Sequence, residues 1–315
     1  MLKVMILLFV LSISLTGFTA CQSAPESSVM EIFIFGIGRA DAILITTENH
    51  VMMIDTGENQ HGYYIVEHLY SRDIRQIDYL IITHFDSDHV GGAHTIIDNV
   101  YVKKIIIPNY SRESGHVERF EAAMERAGIT PYILTETLRF TLDGADFIID
   151  PSQLEYFHFP RGFDTSDLEE THEPLPTGDD FSIVVSITHG ENSFLFTGDA
   201  VAGRLQELLD NNEIMGIDYD FLKVPRHGRH NRNSVPFIHA ISPRYAVITG
   251  FHPDNIKYYY PQRPTDSRVV LALEDVGAEV FYTMSTGVRV VCDGFSILIG
   301  YEEIQGGYHE IRDYF

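Results

Sequence analysis

The chain has 315 residues and a formal net charge of −23. That length suits one large domain or two small ones, and a 44% hydrophobic content permits a sizeable core. The acidity excludes a broad surface for long duplex nucleic acid, which is gripped by many Lys and Arg contacts, but leaves room for a small local patch of positive charge.

The N-terminus reads as a processing signal. Lys3 supplies a positive start, Val4 to Leu11 is an unbroken apolar run extended by Ile13 and Leu15, and small residues follow towards Ala20. The run is shorter than the about 20 apolar residues that a spanning helix needs. Phe18-Thr19-Ala20-Cys21 resembles the cleavage box of bacterial lipoproteins, with Phe18 where a Leu usually stands. The resemblance implies that Cys21 becomes the lipidated first residue of the mature protein, anchored on the extracytoplasmic face of a membrane. A plain signal peptide or an uncleaved anchor, with Cys21 incidental, is the alternative. The other Cys, Cys292, ends the apolar stretch from Val288 and is expected to be a buried small hydrophobe. The expected organisation is a signal over residues 1–21, a polar tether over 22–29, one folded domain over 30–300 and a tail over 301–315.

Within the domain, Glu31 to Phe35, Ala42 to Thr46 and Val51 to Ile54 read as strands, the third ending in the turn Asp55-Thr56-Gly57. A helix is expected from about Gly62 to Ser71, with Ile65 and Leu69 on one face. Tyr79 to Ile82 suits a short buried strand leading into the polar cluster Thr83 to His89, after which Gly91 and Gly92 open another helix. Lys103 to Ile107 reads as a strand and Val117 to Ala127 as a helix. Pro160 to Asp180 has no periodicity and is rich in Pro and acids, as functional or disordered loops are. Strands resume at Ser182 to Ile187 and Ser193 to Phe196, joined by a turn from His189 to Asn192 that puts His189 on the surface. A helix from Ala200 to about Leu209, strands at Phe221 to Val224 and Tyr245 to Thr249, a helix from Arg268 to Glu274 and a strand-like remainder complete the pattern. The alternation indicates a layered α/β fold without repeats or a second domain.

The densest chemistry is Thr83-His84-Phe85-Asp86-Ser87-Asp88-His89-Val90-Gly91-Gly92. Alternate side chains of an extended segment share a side, so His84, Asp86 and Asp88 can converge, and His89 can join them as the chain turns into its helix. Imidazole suits zinc, iron and related ions, and carboxylate suits harder ones. Two later strands fit the same pattern: Phe194 to Phe196 leads into Asp199, and Leu222 to Val224 leads into His227, each placing one ligand type at a strand end.

His84-Phe85-Asp86-Ser87-Asp88-His89 resembles the His-x-His-x-Asp-His motif of the metallo-β-lactamase superfamily, with Asp86 in place of the second His. Gly38 to Ile45, Ile54 to Gly57, Leu195 to Ala200, Leu222 to Gly228 and the Tyr260-Pro261 region are similar, in that order, to the hydrolase domain at the C-terminus of ComEC-family competence proteins. The resemblance runs from Glu31 to Ile299 and, as an ordered set of motifs, is specific. It implies a four-layer αββα sandwich with two divalent metal ions, zinc or manganese, at one edge. His84 and Asp86 would bind one ion, Asp88, His89 and His227 the other, and Asp199 would bridge them. Asp88 and His227 are assigned to catalysis, and Asp41 and Asp55 would be buried groups that orient the ligands. The third motif of the superfamily usually supplies a His. The matching stretch here is Gly178-Asp179-Asp180-Phe181-Ser182, where Asp179 or Asp180 takes the place; Asp180 is carried into the ligand set.

Bound divalent ions lower the pKa of water to about 7 and so make hydroxide available for hydrolysis. Arg226 and Arg229 flank His227 where ComEC-like domains more often read His-His-Gly-Ser, and Arg suits phosphate because its planar fork makes two hydrogen bonds. A solvated loop that balances acidic neighbours is the other reading of those arginines. The expected activity is hydrolysis of a phosphodiester, with short nucleic acid among the substrates and no protein partner inferable. Hydrolysis of an ester, lactone, thioester or lactam is the enzymatic alternative, since fold does not fix function. A non-catalytic lipoprotein that binds metal or cell-wall polymer is the alternative from another class.

Overall fold

The computed structural model describes residues 28–162, 175–251 and 265–302. Cys21, the signal, most of the tether, the 303–315 tail and the Tyr260-Pro261 region lie outside the described residues.

Two mixed sheets dominate. The first has eight strands in the order β17 (Ile297–Glu302), β16 (Gly287–Cys292), β1 (Met30–Ile34), β2 (Ala42–Thr46), β3 (Val51–Thr56), β4 (Gln76–Ile81), β5 (Tyr101–Pro108) and β7 (Tyr132–Leu134). The second has seven: β15 (Glu279–Tyr282), β14 (Tyr245–Ile248), β13 (Phe221–Lys223), β12 (Asn192–Phe196), β11 (Val184–His189), β9 (Ala145–Asp150) and β8 (Leu138–Leu142). A small parallel pair joins β6 (Tyr110–Arg112) to β10 (Phe157–Phe159). Strands β3, β4, β5 and β7 run parallel, as do β12, β13, β14 and β15. The helices are α1 (His61–Ser71), α2 (Ser87–Val90), α3 (Ala93–Asn99), α4 (Gly115–Ala127), α5 (Ala202–Asp210), α6 (Asn212–Met215), α7 (Ser234–Ile241) and α8 (Ser267–Asp275). None of the described helices is long and apolar enough to cross a membrane.

Period-two alternation sorts the strand side chains into layers. Ile32, Ile34, Ile43, Ile45 and Ile54 face inward and pack with Phe147, Val185, Phe194, Phe196 and Phe221 of the second sheet. Phe33, Leu44, Met53 and Leu80 point the other way, against Ile65 and Leu69 of α1, Ile96 of α3 and Phe120 of α4. Leu195, Leu222 and Ala246 cover the opposite outer face with Leu205 of α5, Phe237 of α7 and Leu273 of α8. Helix, sheet, sheet, helix is therefore the layer order, and the expected αββα sandwich is borne out.

The strands expected from the sequence all form. The chain between Ala127 and Pro160 adds β7 to β10, and α7 follows the His227 turn; sequence reading left these without assignment. The last strand runs through Glu302, two residues into the stretch taken as tail. His189 is corrected: it is 2% exposed, because its turn is packed beneath another turn, where a Cβ on Gly190 would lie 2.1 Å from the Gly294 carbonyl oxygen. Cys292 is buried in β16, as expected.

Candidate metal centre

The parallel strands of both sheets end at one edge, and their exits supply the polar groups. Asp55 leaves β3 with φ 58°, a left-handed conformation that a non-glycine residue adopts only where its surroundings hold it. Its carboxylate accepts from the Thr83 amide at 2.8 Å and the Thr83 hydroxyl at 2.7 Å, and lies 2.7 Å from His89 Nδ1. After β4 the chain runs extended through His84 to Asp86, then turns into α2, which carries Asp88 and His89. Gly92 closes that turn against β3, where a Cβ would sit 2.3 Å from the Thr56 carbonyl oxygen. No larger residue fits there without displacing backbone.

His227 is held by an unusual backbone. Arg226, His227 and Gly228 have φ of 56°, 52° and 77° in succession. For the two non-glycine residues this costs about 1–2 kcal/mol each, and strain of that kind concentrates at functional sites. The turn places His227 Nδ1 3.0 Å from the Thr249 carbonyl oxygen and 2.9 Å from its hydroxyl.

The three imidazoles share one logic. His89 Nδ1 donates to Asp55, and His227 Nδ1 donates to Thr249. His84 Nδ1 lies 3.1 Å from the Thr83 hydroxyl, which already donates to Asp55 and so accepts from His84. In the neutral ring, an Nδ1 that carries the proton leaves Nε2 with a lone pair for a metal ion. All three Nε2 atoms are buried without a hydrogen-bond partner among the described residues, as is Asp199 Oδ1. Buried polar atoms left this way each cost about 1–3 kcal/mol unless something else meets them. A cation meets them: Asp199 Oδ1 is 3.4 Å from His89 Nε2, Asp199 Oδ2 is 3.3 Å from His227 Nε2, and Asp88 Oδ2 is 3.4 Å from the same nitrogen. The donor sets His84-His89-Asp199, Asp88-His89-His227 and His84-Asp86-Asp179 each fall within 4.8 Å, the first sharing a residue with each of the others. The residues present thus fit divalent metal ions.

Electrostatics agree. Burial opposes the charged form of Asp199, but His227 and His89 outweigh it and hold the carboxyl well below its ordinary pKa. Burial likewise opposes protonation of His89, yet Asp199 and Asp55 draw its pKa well above the usual imidazole value. The cluster therefore collects positive charge, and protons take the place that a metal ion would contest.

Of the residues named from sequence, His84, Asp86, Asp88, His89, Asp199, His227, Asp41 and Asp55 converge here. Asp41 flanks His227 Nδ1 at 3.4 Å, beside the buried Lys223. Asp180 does not join them. Its carboxylate turns back to accept from the amide and hydroxyl of Thr177, both at 2.8 Å, capping the short 3-10 turn Gly178–Phe181. Asp179 faces the site instead, with Oδ1 3.7 Å from His84 Nε2. Arg226 points at Asp179, its Nε 2.6 Å from Oδ2, and Arg229 lines the cleft above.

Sequence reading missed three cations. Lys223 is fully buried; it contacts Asp41, donates to the Gly198 carbonyl at 2.9 Å and lies 3.7 Å from Asp199. A lysine inside the apolar strand Phe221-Leu222-Lys223-Val224 was the available signal. Arg112 pairs with Asp86, and Arg39 lies 3.3 Å from Asp88. A cleft of about 490 Å³ opens over these carboxylates, lined among others by Arg39, Arg112, Arg226 and Arg229.

The sequence profile of the metallo-beta-lactamase superfamily matches residues 36–252. ComE operon protein 3 of Bacillus subtilis (strain 168) is 25% identical over 256 residues, covering 75% of this chain and 30% of that protein. Competence protein ComA of Neisseria gonorrhoeae is 25% identical over 260 residues, covering 81% of this chain and 32% of that one. The chain thus spans about a third of the length of these relatives. Among solved structures, the metallo-beta-lactamase fold protein YhfI from Bacillus subtilis aligns with a TM-score of 0.48 at 11% identity, over 86% of this chain and 100% of that one.

Proposed function

The chain belongs to the metallo-beta-lactamase superfamily of metallo-hydrolases, and from that premise we propose that it is a phosphodiesterase with a two-metal centre, acting outside the cytoplasm. The observation that carries the reading is the placement of four arginines around a cleft lined by the Asp86, Asp88, Asp179 and Asp199 carboxylates of the candidate metal centre, in a chain of net charge −23. Cations are scarce in this sequence, and with divalent ions offsetting the carboxylates that share the cleft, the four arginines there would favour an anion.

Asp88, His89 and His227 would hold one ion, His84, Asp86 and Asp179 the other, with Asp199 between them. The first set has two imidazoles and suits zinc; the second is richer in oxygen and suits manganese or another hard ion. Divalent ions there would supply a nucleophile from water at neutral pH and polarise the phosphoryl oxygens. The protein's own contribution is orientation. Asp55 and Thr249 fix the tautomers of His89 and His227, and Asp41 with Lys223 packs behind them. Arg39, Arg112, Arg226 and Arg229 offer guanidinium forks to a phosphate, whose charge they can stabilise as it shifts during displacement. An acyl substrate such as a lactam carries less negative charge for these groups to meet.

The name of one relative, competence protein ComA, refers to competence, which supports a nucleic-acid substrate. The acidic body favours short or single-stranded molecules over long duplexes, because little other positive surface is available to grip them. The signal-like N-terminus and Cys21 support a lipid anchor on the extracytoplasmic face. Cys21→Ser should release the protein from membranes or leave it unprocessed, and unchanged mass with unchanged membrane association would refute the anchor. For the reaction, metal-loaded protein is compared on a small phosphodiester, a short oligonucleotide, long duplex DNA and a lactam. Cleavage of the first two is expected; lactam cleavage without phosphodiester cleavage would overturn the reaction class.

A further inference from the structure

The two halves of the centre differ in what already neutralises them. Around Asp88, His89 and His227 there are two imidazoles, and Arg39 lies 3.3 Å from Asp88. Around His84, Asp86 and Asp179 there is one imidazole, and each carboxylate is in direct contact with a guanidinium: Arg112 on Asp86, and Arg226 Nε at 2.6 Å from Asp179. Both arginines line the cleft and are partly exposed, 34% and 25% at their side chains, so neither is locked in place by packing.

Resting on the reading of this site as a two-metal hydrolase, we propose that Arg112 and Arg226 occupy the His84-Asp86-Asp179 position as counter-ions, and that a phosphate group in the cleft, by drawing both guanidiniums onto itself, opens that position to its metal ion.

Three considerations carry this. A divalent cation among His84, Asp86 and Asp179 would sit beside two guanidinium charges that hold the same carboxylates, and like charges at such distances repel even near water. A phosphate offers a guanidinium the same two-pronged oxygen geometry as a carboxylate, at higher charge, so it competes well for both forks. The pairing is also built in. Gly178, next to Asp179, is closely packed: a Cβ there would lie 3.0 Å from the Tyr110 hydroxyl, 3.2 Å from Asp86 Oδ1 and 3.4 Å from Arg112 Nη1, so these neighbours would have to shift to admit one. The segment that carries Asp179 is thereby pressed against the Arg112–Asp86 pair, while Arg226 reaches Asp179 from the strained turn that positions His227. Coupling of this kind is reciprocal, so whatever factor phosphate adds to the affinity for the second ion, that ion adds to the affinity for phosphate.

The test uses the full chain in detergent, stripped of metal and titrated with Mn²⁺, with bound and free ion counted by electron paramagnetic resonance, with and without millimolar inorganic phosphate. Wild type should bind one ion tightly and a second weakly, and phosphate should tighten the second by about tenfold, within the usual range of coupling between sites. Phosphate also complexes Mn²⁺ in solution, an effect of the opposite sign, so tightening cannot arise from it. The double variant Arg112→Gln/Arg226→Gln should bind the second ion about tenfold more tightly without phosphate and no longer respond to it. If the double variant is misfolded by circular dichroism, each single variant should show part of the same change. Two ions of equal affinity in phosphate-free wild type, or a phosphate effect undiminished in folded variants, would overturn the proposal while leaving the two-metal reading intact. Absence of any tight Mn²⁺ that His89→Ala removes would overturn that reading itself.

Discussion

Lys223 offers a quantitative test of how the centre is neutralised before metal arrives. Its ammonium is fully buried against Asp41 and 3.7 Å from Asp199. Burial disfavours that charge, but Asp41 and Asp199 outweigh it and raise the lysine pKa. At 3.7 Å and an effective dielectric of 20, the attraction to Asp199 alone is about 4 kcal/mol. Lys223→Met keeps the apolar stem and removes the charge, leaving Asp41 buried without its partner. Breaking a buried pair from one side costs about 3–5 kcal/mol, a large share of a total stability of about 5–15 kcal/mol. Urea denaturation in the presence of a chelator should register that loss. In metal-loaded protein the loss should shrink, because the ion restores positive charge beside Asp199. Asp41→Asn/Lys223→Met should be less destabilised than the sum of its parts, since both partners have gone. A Lys223→Met loss below about 1 kcal/mol, or strict additivity in the cycle, would refute the idea that this lysine neutralises the buried carboxylates.

Asp199→Asn keeps the shape of the carboxylate and removes its charge, so bound metal and hydrolysis should fall together, by at least about a hundredfold in rate, and the urea midpoint should fall as well because buried Lys223 loses a charged neighbour; an active variant with full metal content would remove Asp199 from the centre. Arg226→Ala should chiefly raise KM for phosphodiesters, by about tenfold, because it removes binding shared by ground and transition states; a pure kcat effect would place it elsewhere in the reaction. Acid stability should report His61, whose pKa burial lowers to about 4 from 6.5. Its folded form stays neutral while the unfolded form takes a proton, so stability should fall as pH drops from about 6.5 to about 4, by at most about 3 kcal/mol. His61→Asn, which keeps an acceptor for the Glu58 amide now bonded to Nδ1 at 3.0 Å, should flatten that acid limb, and an unchanged limb would show that other groups govern it.

The layers were legible because their cause is local. Ile32, Phe33, Ile34 and Phe35 must face alternate ways in a strand, and both faces are apolar because both are covered. The ligand cluster was legible because four ligands fall within six residues at a strand exit. What sequence reading missed depends on either a neglected short signal or a distant partner. The β8–β9 hairpin turns on Asp143-Gly144, with φ of 45° and 82°, the dipeptide that such turns favour, and its flanking alternation was passed over. Asp180 was misassigned although Thr177-Gly178-Asp179-Asp180 carries the spacing of a capping box, which commits the last residue to the turn and frees Asp179 for the site. Arg112 had no such signal. It reaches Asp86 from 26 residues away, through a β6–β10 pairing that only the folded chain creates.

The most direct measurement of the central claim is hydrolysis of a small phosphodiester by the purified full chain, stripped of metal and then reloaded with Mn²⁺ or Zn²⁺, beside the same preparation carrying His89→Ala. Turnover that disappears on stripping, returns on reloading and stays absent in the variant is the predicted result. Phosphodiester turnover that survives stripping, or none from fully loaded wild type, would contradict it.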